Sequence, residues 1–178
     1  IGKTRLAIET ASRMKANFKD GAAFVPLAPV KDPKLVVESI CYNLGLKVSG
    51  NILESLKIFL QEKSFLLVLD NFEQVIEAAS IIDDLLFAAP GLKILVTSRE
   101  RLALSFEQTY IVPTLPDICL DTQGNHDALP PAVDLFIQRA QAIQPSFTLN
   151  DKNREAICHI CRRLEGLPLA IELAAGQI

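Results

Sequence analysis

Residues 64–71 read SFLLVLDN: five consecutive apolar side chains, Phe65 to Leu69, run into Asp70 and Asn71. An apolar run of strand length without alternation is the pattern of a β-strand buried on both faces, as strands are in parallel sheets. The texture recurs on either side. Residues 92–99, LKILVTSR, again run apolar into a polar end, and residues 22–27, AAFVPL, read as a shorter buried strand. TYIVPTL, residues 109–115, reads as the strand that closes the set.

Helical patterns fill the gaps. Leu6, Ala7, Ile8, Ala11 and Met14 recur at helical spacing and predict a helix from Thr4 to Phe18, stopped by Gly21. Pro33 opens a second through Val36, Val37, Ile40 and Leu44, ended by Gly45. A third spans Leu53 to Gln61. Asn71, with Gln74 three residues on, predicts a capping box for a helix from Glu73 towards Phe87, and Pro90-Gly91 turns the chain into the next strand. Strands alternating with helices predict an α/β domain with a parallel sheet covered on both faces.

From Thr114 to Pro131 the texture shifts to Pro, Asp, Gly and Asn, and beyond it only helices are predicted: Ala132–Ile143, Asn150–Glu165 and Pro168 to Gly176. The expected organisation is an α/β domain over 1–113, a linker over 114–131 and a small all-helical subdomain over 132–178. No internal repeat or low-complexity tract interrupts it.

The totals narrow the function classes. With 178 residues, 49% hydrophobic and 22% charged, the chain can bury a sizeable core and is not a disordered segment. A net charge of −3 leaves no electrostatic footprint for direct nucleic-acid binding. The run Phe65–Leu69 is far too short to span a membrane, and no secretory signal is legible. Four cysteines, at 41, 119, 158 and 161, are too few and too irregular for a disulfide scaffold, so a reducing cytoplasm is expected. Cys158 and Cys161 form a C-x-x-C around His159, but a zinc site needs two more ligands, and His126 is the only other histidine. A helix with Ala156, Ile157, Ile160, Cys161 and Leu164 facing a core accounts for REAICHICRRL without a metal.

In open parallel sheets ligands sit beyond the carboxyl ends of the strands. Two strands here end in Asp70-Asn71 and in Thr97-Ser98-Arg99, and Gly2-Lys3-Thr4 stands where the first helix begins. A phosphate site could be assembled from these pieces. Helix N-terminal N–H groups would hold phosphate oxygens, Lys3 would neutralise charge, and the Thr4 hydroxyl and Asp70 would hold Mg²⁺, Asp70 through water. Arg99 would reach the γ-phosphate and report its presence. Each piece also has a plain alternative: a solvated Lys3, a turn-forming Asp70, and Ser98-Arg99 capping a short RERLA helix. Their order, each at a strand–helix junction, favours the site.

With GKTRLA (2–7), LLVLDNFEQV (66–75), LKILVTSRERL (92–102) and RLEGLPLAIELAA (163–175), the chain resembles the NB-ARC-type, STAND-class P-loop NTPases, most of all those of large bacterial LuxR-type and AfsR-type transcriptional regulators. The resemblance covers essentially the whole chain. It implies a P-loop NTPase fold of the ASCE type lacking its first strand, with Gly2, Lys3 and Thr4 as the end of Walker A and Arg5 beside them in the nucleotide-binding set. It implies Asp70 as the Walker B acid, Arg99 as the sensor, and Pro168 packing on adenine from the helical unit. Such proteins are ADP/ATP switches, in which ADP holds a closed form and ATP permits opening and assembly with other copies or with other domains of the parent.

Two departures follow. Hydrolytic relatives often carry a carboxylate directly after the Walker B acid, where this chain has Asn71. Glu73 is the nearest acid, either a water-activating base or first-turn charge on a helix. The resemblance also implies a loop glycine and a strand upstream of Ile1, without which the 178 residues alone would bind nucleotide poorly and leave a sheet edge open. Two other classes fit parts of the pattern. A receiver-like domain would use Asp70 as phosphoacceptor and Thr97 as its sensor, although TYIVPTLP supplies no lysine; an interaction scaffold would have a decayed nucleotide site.

Overall fold

The computed structural model describes residues 2–47, 49–116 and 129–178. Lys3–Tyr110 and Ile111–Ile178 form separate compact units. In the first, helix α1 (Lys3–Met14) leads to strand β1 (Ala22–Pro26), helices α2 (Val36–Asn43) and α3 (Ile52–Leu60), strand β2 (Phe65–Asp70), helix α4 (Ala79–Ala88) and strand β3 (Leu92–Val96). The strands form a three-stranded parallel sheet in the order β1-β2-β3.

All six residues of β2 are buried, as its unbroken apolar run requires of a central strand. Alternate side chains point to opposite faces. Phe65, Leu67 and Leu69 join Val25, Leu27, Ile40, Leu56 and Leu85 in the larger core, so α2, α3 and α4 cover one face. Leu66 and Val68 meet Ala7, with Ala11 and Phe24 around them, so α1 covers the other. Small residues on the inner side of α1 let its backbone lie close to the sheet. Leu6, Ile8 and Met14, expected on the same stripe, are not buried, at 42%, 48% and 40% exposed.

Two expectations fail locally. TYIVPTL is not a strand: residues 109–115 belong to no ladder, and Tyr110 and Ile111 are largely exposed. Pro113 has no N–H to give, and the Leu115 N–H goes to the Gly166 carbonyl at 2.9 Å rather than to a neighbouring strand. The second failure is the capping box. Asn71 adopts a left-handed conformation (φ 61°, ψ 44°) and its side chain caps nothing. The chain passes through 3-10 turns over Phe72–Ala78, broken at Val75, before α4 begins. Asn71 tolerates that conformation better than most residues, and Thr97 takes the backbone N–H groups on both sides of the turn, as described below.

The second unit holds α5 (Pro131–Ile143), α6 (Asp151–Arg163) and α7 (Pro168–Ala175). Val133, Phe136, Ile137, Ile157 and Ile171 form its core, with Leu115 and Phe147 packed at the margin. Asn150 caps α6 in a reciprocal box with Asn153. Residues 114–116, expected in a linker, are integrated here: besides the Leu115 bond, the Ala132 N–H donates to the Pro116 carbonyl at 3.2 Å. Gly166 explains part of the EGLP phrase. Its φ is +65°, and any Cβ there would overlap the Leu115 carbonyl oxygen, so only glycine fits.

Candidate functional site

The register of the sheet builds the site. Val96 lies opposite Leu69 in the parallel ladder, which brings the next residues, Asp70 and Thr97, level at the carboxyl rim. Thr97 Oγ1 donates to Asp70 Oδ1 at 2.5 Å, in the range of charge-assisted O–H···O⁻ bonds. The same Oγ1 accepts the Asn71 N–H at 3.1 Å, and the Thr97 carbonyl accepts the Phe72 N–H at 3.0 Å. Asp70 and Thr97 are both buried. Buried polar groups must be partnered, and here the partners are one another.

From the other side of the chain, Thr4 Oγ1 donates to Asp70 Oδ1 at 2.7 Å. Thr4 is in the first turn of α1, preceded by Gly2 at φ +68° and by Lys3, the first helical residue. The Asp70 carboxylate therefore accepts two hydroxyl protons on one oxygen. Thr4 spends its proton on Asp70, which leaves its lone pairs to face another electrophile.

Beyond this cluster the same two loops meet again. Arg99 Nε lies 3.2 Å from Glu73 Oε1, with the Glu73 side chain 8% exposed and that of Arg99 79% exposed. Glu73 Oε2 is buried and has no hydrogen-bond partner among the described residues. Ser98 Oγ accepts the Glu100 N–H at 3.1 Å, a local turn, and the RERLA stretch is not helical.

Thr4 and Asp70 are thus in direct contact, and Glu73 and Arg99 are paired. Lys3 is half-buried at the start of α1, and Arg5 is exposed. Pro168 is the first residue of α7, in the helical unit. The sequence pairs Thr97 with Asp70 only in the receiver-like reading, as a phosphate sensor; the ladder register sets its hydroxyl directly on the Asp70 carboxylate.

Among the described residues no group of three or more His, Cys, Asp or Glu is placed to hold a metal. Cys161 is buried and donates to the Ala132 carbonyl at 3.5 Å, and Cys158 packs against the same helical core. His126 and Cys119 lie outside the described residues. No helix among the described residues is long and apolar enough to cross a membrane.

No protein-family model matches the chain. It is 39% identical over 181 residues to a Mycobacterium tuberculosis (strain H37Rv) protein named "Putative HTH-type transcriptional regulator", an alignment covering 100% of this chain and 19% of that protein. A Mycobacterium bovis protein with the same description matches at the same identity and coverage. An uncharacterized M. tuberculosis protein is 37% identical over 180 residues, covering 99% of this chain and 43% of the relative. The chain therefore spans about a fifth of the length of the regulators it resembles and less than half of the other relative.

Proposed function

We infer that this chain is the nucleotide-binding part of an ATP/ADP-dependent conformational switch in a larger transcriptional regulator, of the NB-ARC, STAND-class type, with slow Mg-ATP hydrolysis. The observation that supports it most is the 2.7 Å hydrogen bond from Thr4 to Asp70. It joins a hydroxyl in the first turn of a helix to a carboxylate at a strand end, 66 residues apart in the chain.

These groups fit Mg²⁺, which takes hard oxygen ligands in octahedral geometry. Thr4 presents its lone pairs while its proton is held by Asp70. Thr4 would ligate the ion and Asp70 would hold it through water; the ion would neutralise phosphate charge. Lys3 adds positive charge at the same helix start, and the free N–H groups of α1 suit phosphate oxygens. Arg99 is exposed and can meet a terminal phosphate.

Slow hydrolysis follows from what surrounds Asp70. Asn71, directly after Asp70, cannot act as a base. The regulator-like relatives support a signalling role within a longer chain rather than metabolic turnover. The receiver reading is disfavoured because a phosphoacceptor must be accessible, whereas Asp70 is 5% exposed and bonded to both hydroxyls.

The test is nucleotide titration into the full-length protein. Asp70→Ala should weaken Mg-ATP binding far more than ATP binding in EDTA. Equal weakening would indicate a damaged fold and remove the metal role. Absence of any Mg-dependent ATP or ADP binding would favour the scaffold, and labelling of Asp70 by acetyl phosphate the receiver.

A further inference from the structure

We propose that Glu73 is a latch on Arg99: its carboxylate holds the guanidinium while no γ-phosphate is present, and a terminal phosphate competes for the same arginine. The proposal rests on the nucleotide-switch reading above and adds its regulation.

Three observations carry it. Glu73 is buried and Arg99 is exposed, so the pair joins an acid inside the protein to a cation that solvent and ligands can reach (side chains 8% and 79% exposed). The contact runs from Nε to Oε1 at 3.2 Å while Oε2 has no partner among the described residues, so the planar fork is not seated on both carboxylate oxygens. An arginine on a carboxylate or phosphate usually gains from two parallel bonds. Here it makes one ion-pair contact, at 3.2 Å longer than a charge-assisted hydrogen bond. Finally, Glu73 lies three residues past Asp70 and Arg99 two past Thr97, which places the pair on the two loops that leave the bonded Asp70–Thr97 rim.

A γ-phosphate offers three acceptor oxygens and more negative charge than one carboxylate oxygen, so it outcompetes Glu73 for the Arg99 fork. ADP has no such group and leaves the latch closed. Once Arg99 departs, Glu73 is a buried charge without its cation, an arrangement that proteins avoid. The turn Phe72–Ala78, already non-helical at Val75, must then adjust to admit water or another donor to the carboxylate. The latch thus converts the presence of one phosphate into a change in the segment that leads into α4.

The experiment is calorimetric titration of Mg-ADP and of a non-hydrolysable Mg-ATP analogue into the full-length protein and its variants. Glu73→Ala and Glu73→Gln should each tighten analogue binding by about two- to tenfold, the scale of a partly exposed ion pair removed as competitor. ADP affinity should stay unchanged. In an Arg99→Ala background neither substitution should matter. Glu73→Gln keeps the side chain's shape, so a fold defect in the alanine variant does not remove the test. Weaker analogue binding in both variants would mean that Glu73 positions Arg99 for phosphate, and would overturn the latch. Equal changes for both nucleotides, or none for either, would overturn it too. A wild-type protein that binds neither nucleotide would instead remove the switch reading beneath it, and the latch with it.

Discussion

Thr97→Val removes one oxygen and keeps the branched shape, which makes it a sharp test of how the Asp70 rim is held. Two bonds are lost. The first is the 2.5 Å donation to Asp70 Oδ1, a buried bond to a charged acceptor, worth about 1.5–3 kcal/mol. The second is the acceptor for the Asn71 N–H at 3.1 Å; stranding a buried donor costs about 1–3 kcal/mol. With some return from the added methyl, a loss of roughly 2–5 kcal/mol is expected. At about 2–4 °C per kcal/mol for a chain of this size, melting should fall by roughly 5–20 °C. Thermal and urea denaturation of wild type, Thr97→Val and Thr97→Ser read it directly. Serine restores the hydroxyl and should recover most of the loss. If the valine variant melts within about 2 °C of wild type, or serine loses as much as valine, the hydroxyl does not hold Asp70 and the geometry has been misread.

Two further outcomes are expected. Arg99→Ala should weaken ATP binding by about 10- to 150-fold and ADP binding little, since one charge-assisted contact is worth about 1.5–3 kcal/mol; parallel losses for both nucleotides in titrations would sink the sensor role. Gly166→Ala forces a Cβ into the Leu115 carbonyl at a left-handed backbone position. The conformation alone costs about 1–2 kcal/mol, so the helical unit should melt visibly lower, and an unchanged melting temperature would contradict the close approach.

The parts of the fold legible in the sequence are those where one face of an element decides its neighbours. FLLVL, residues 65–69, reads as a central strand because every residue in it is apolar on both faces, and β2 is buried throughout. The three C-terminal helices were legible for a related reason: Pro131, Asn150, Pro168 and Gly166 punctuate them with residues whose backbone preferences are narrow. TYIVPTL misled because Tyr110, Ile111 and Val112 have strand propensity, whereas a strand also needs a ladder partner, and that is a long-range fact. The Asn71–Gln74 box misled for the opposite reason. Asparagine serves equally as a cap and as a left-handed turn residue, and the choice was made by Thr97, 26 residues away.

The site divides along the same line. The polar residues at strand ends could be read as a converging rim, because parallel connections return every strand's carboxyl end to one side. Which of them touch could not. Thr4 and Asp70 are 66 residues apart and Asp70 and Thr97 are 27 apart, separations set by helical crossovers whose lengths carry no register. Register is fixed by burial of alternate side chains on β2 and β3, since a one-residue slip would turn Leu67 and Leu69 out of the larger core. The packing that makes β2 recognisable as a strand is therefore also what sets Asp70 level with Thr97. The hydroxyl–carboxylate cluster depends on apolar residues that never touch it, and an apolar substitution that shifted β2 against β3 would dismantle the rim without altering any of its polar groups.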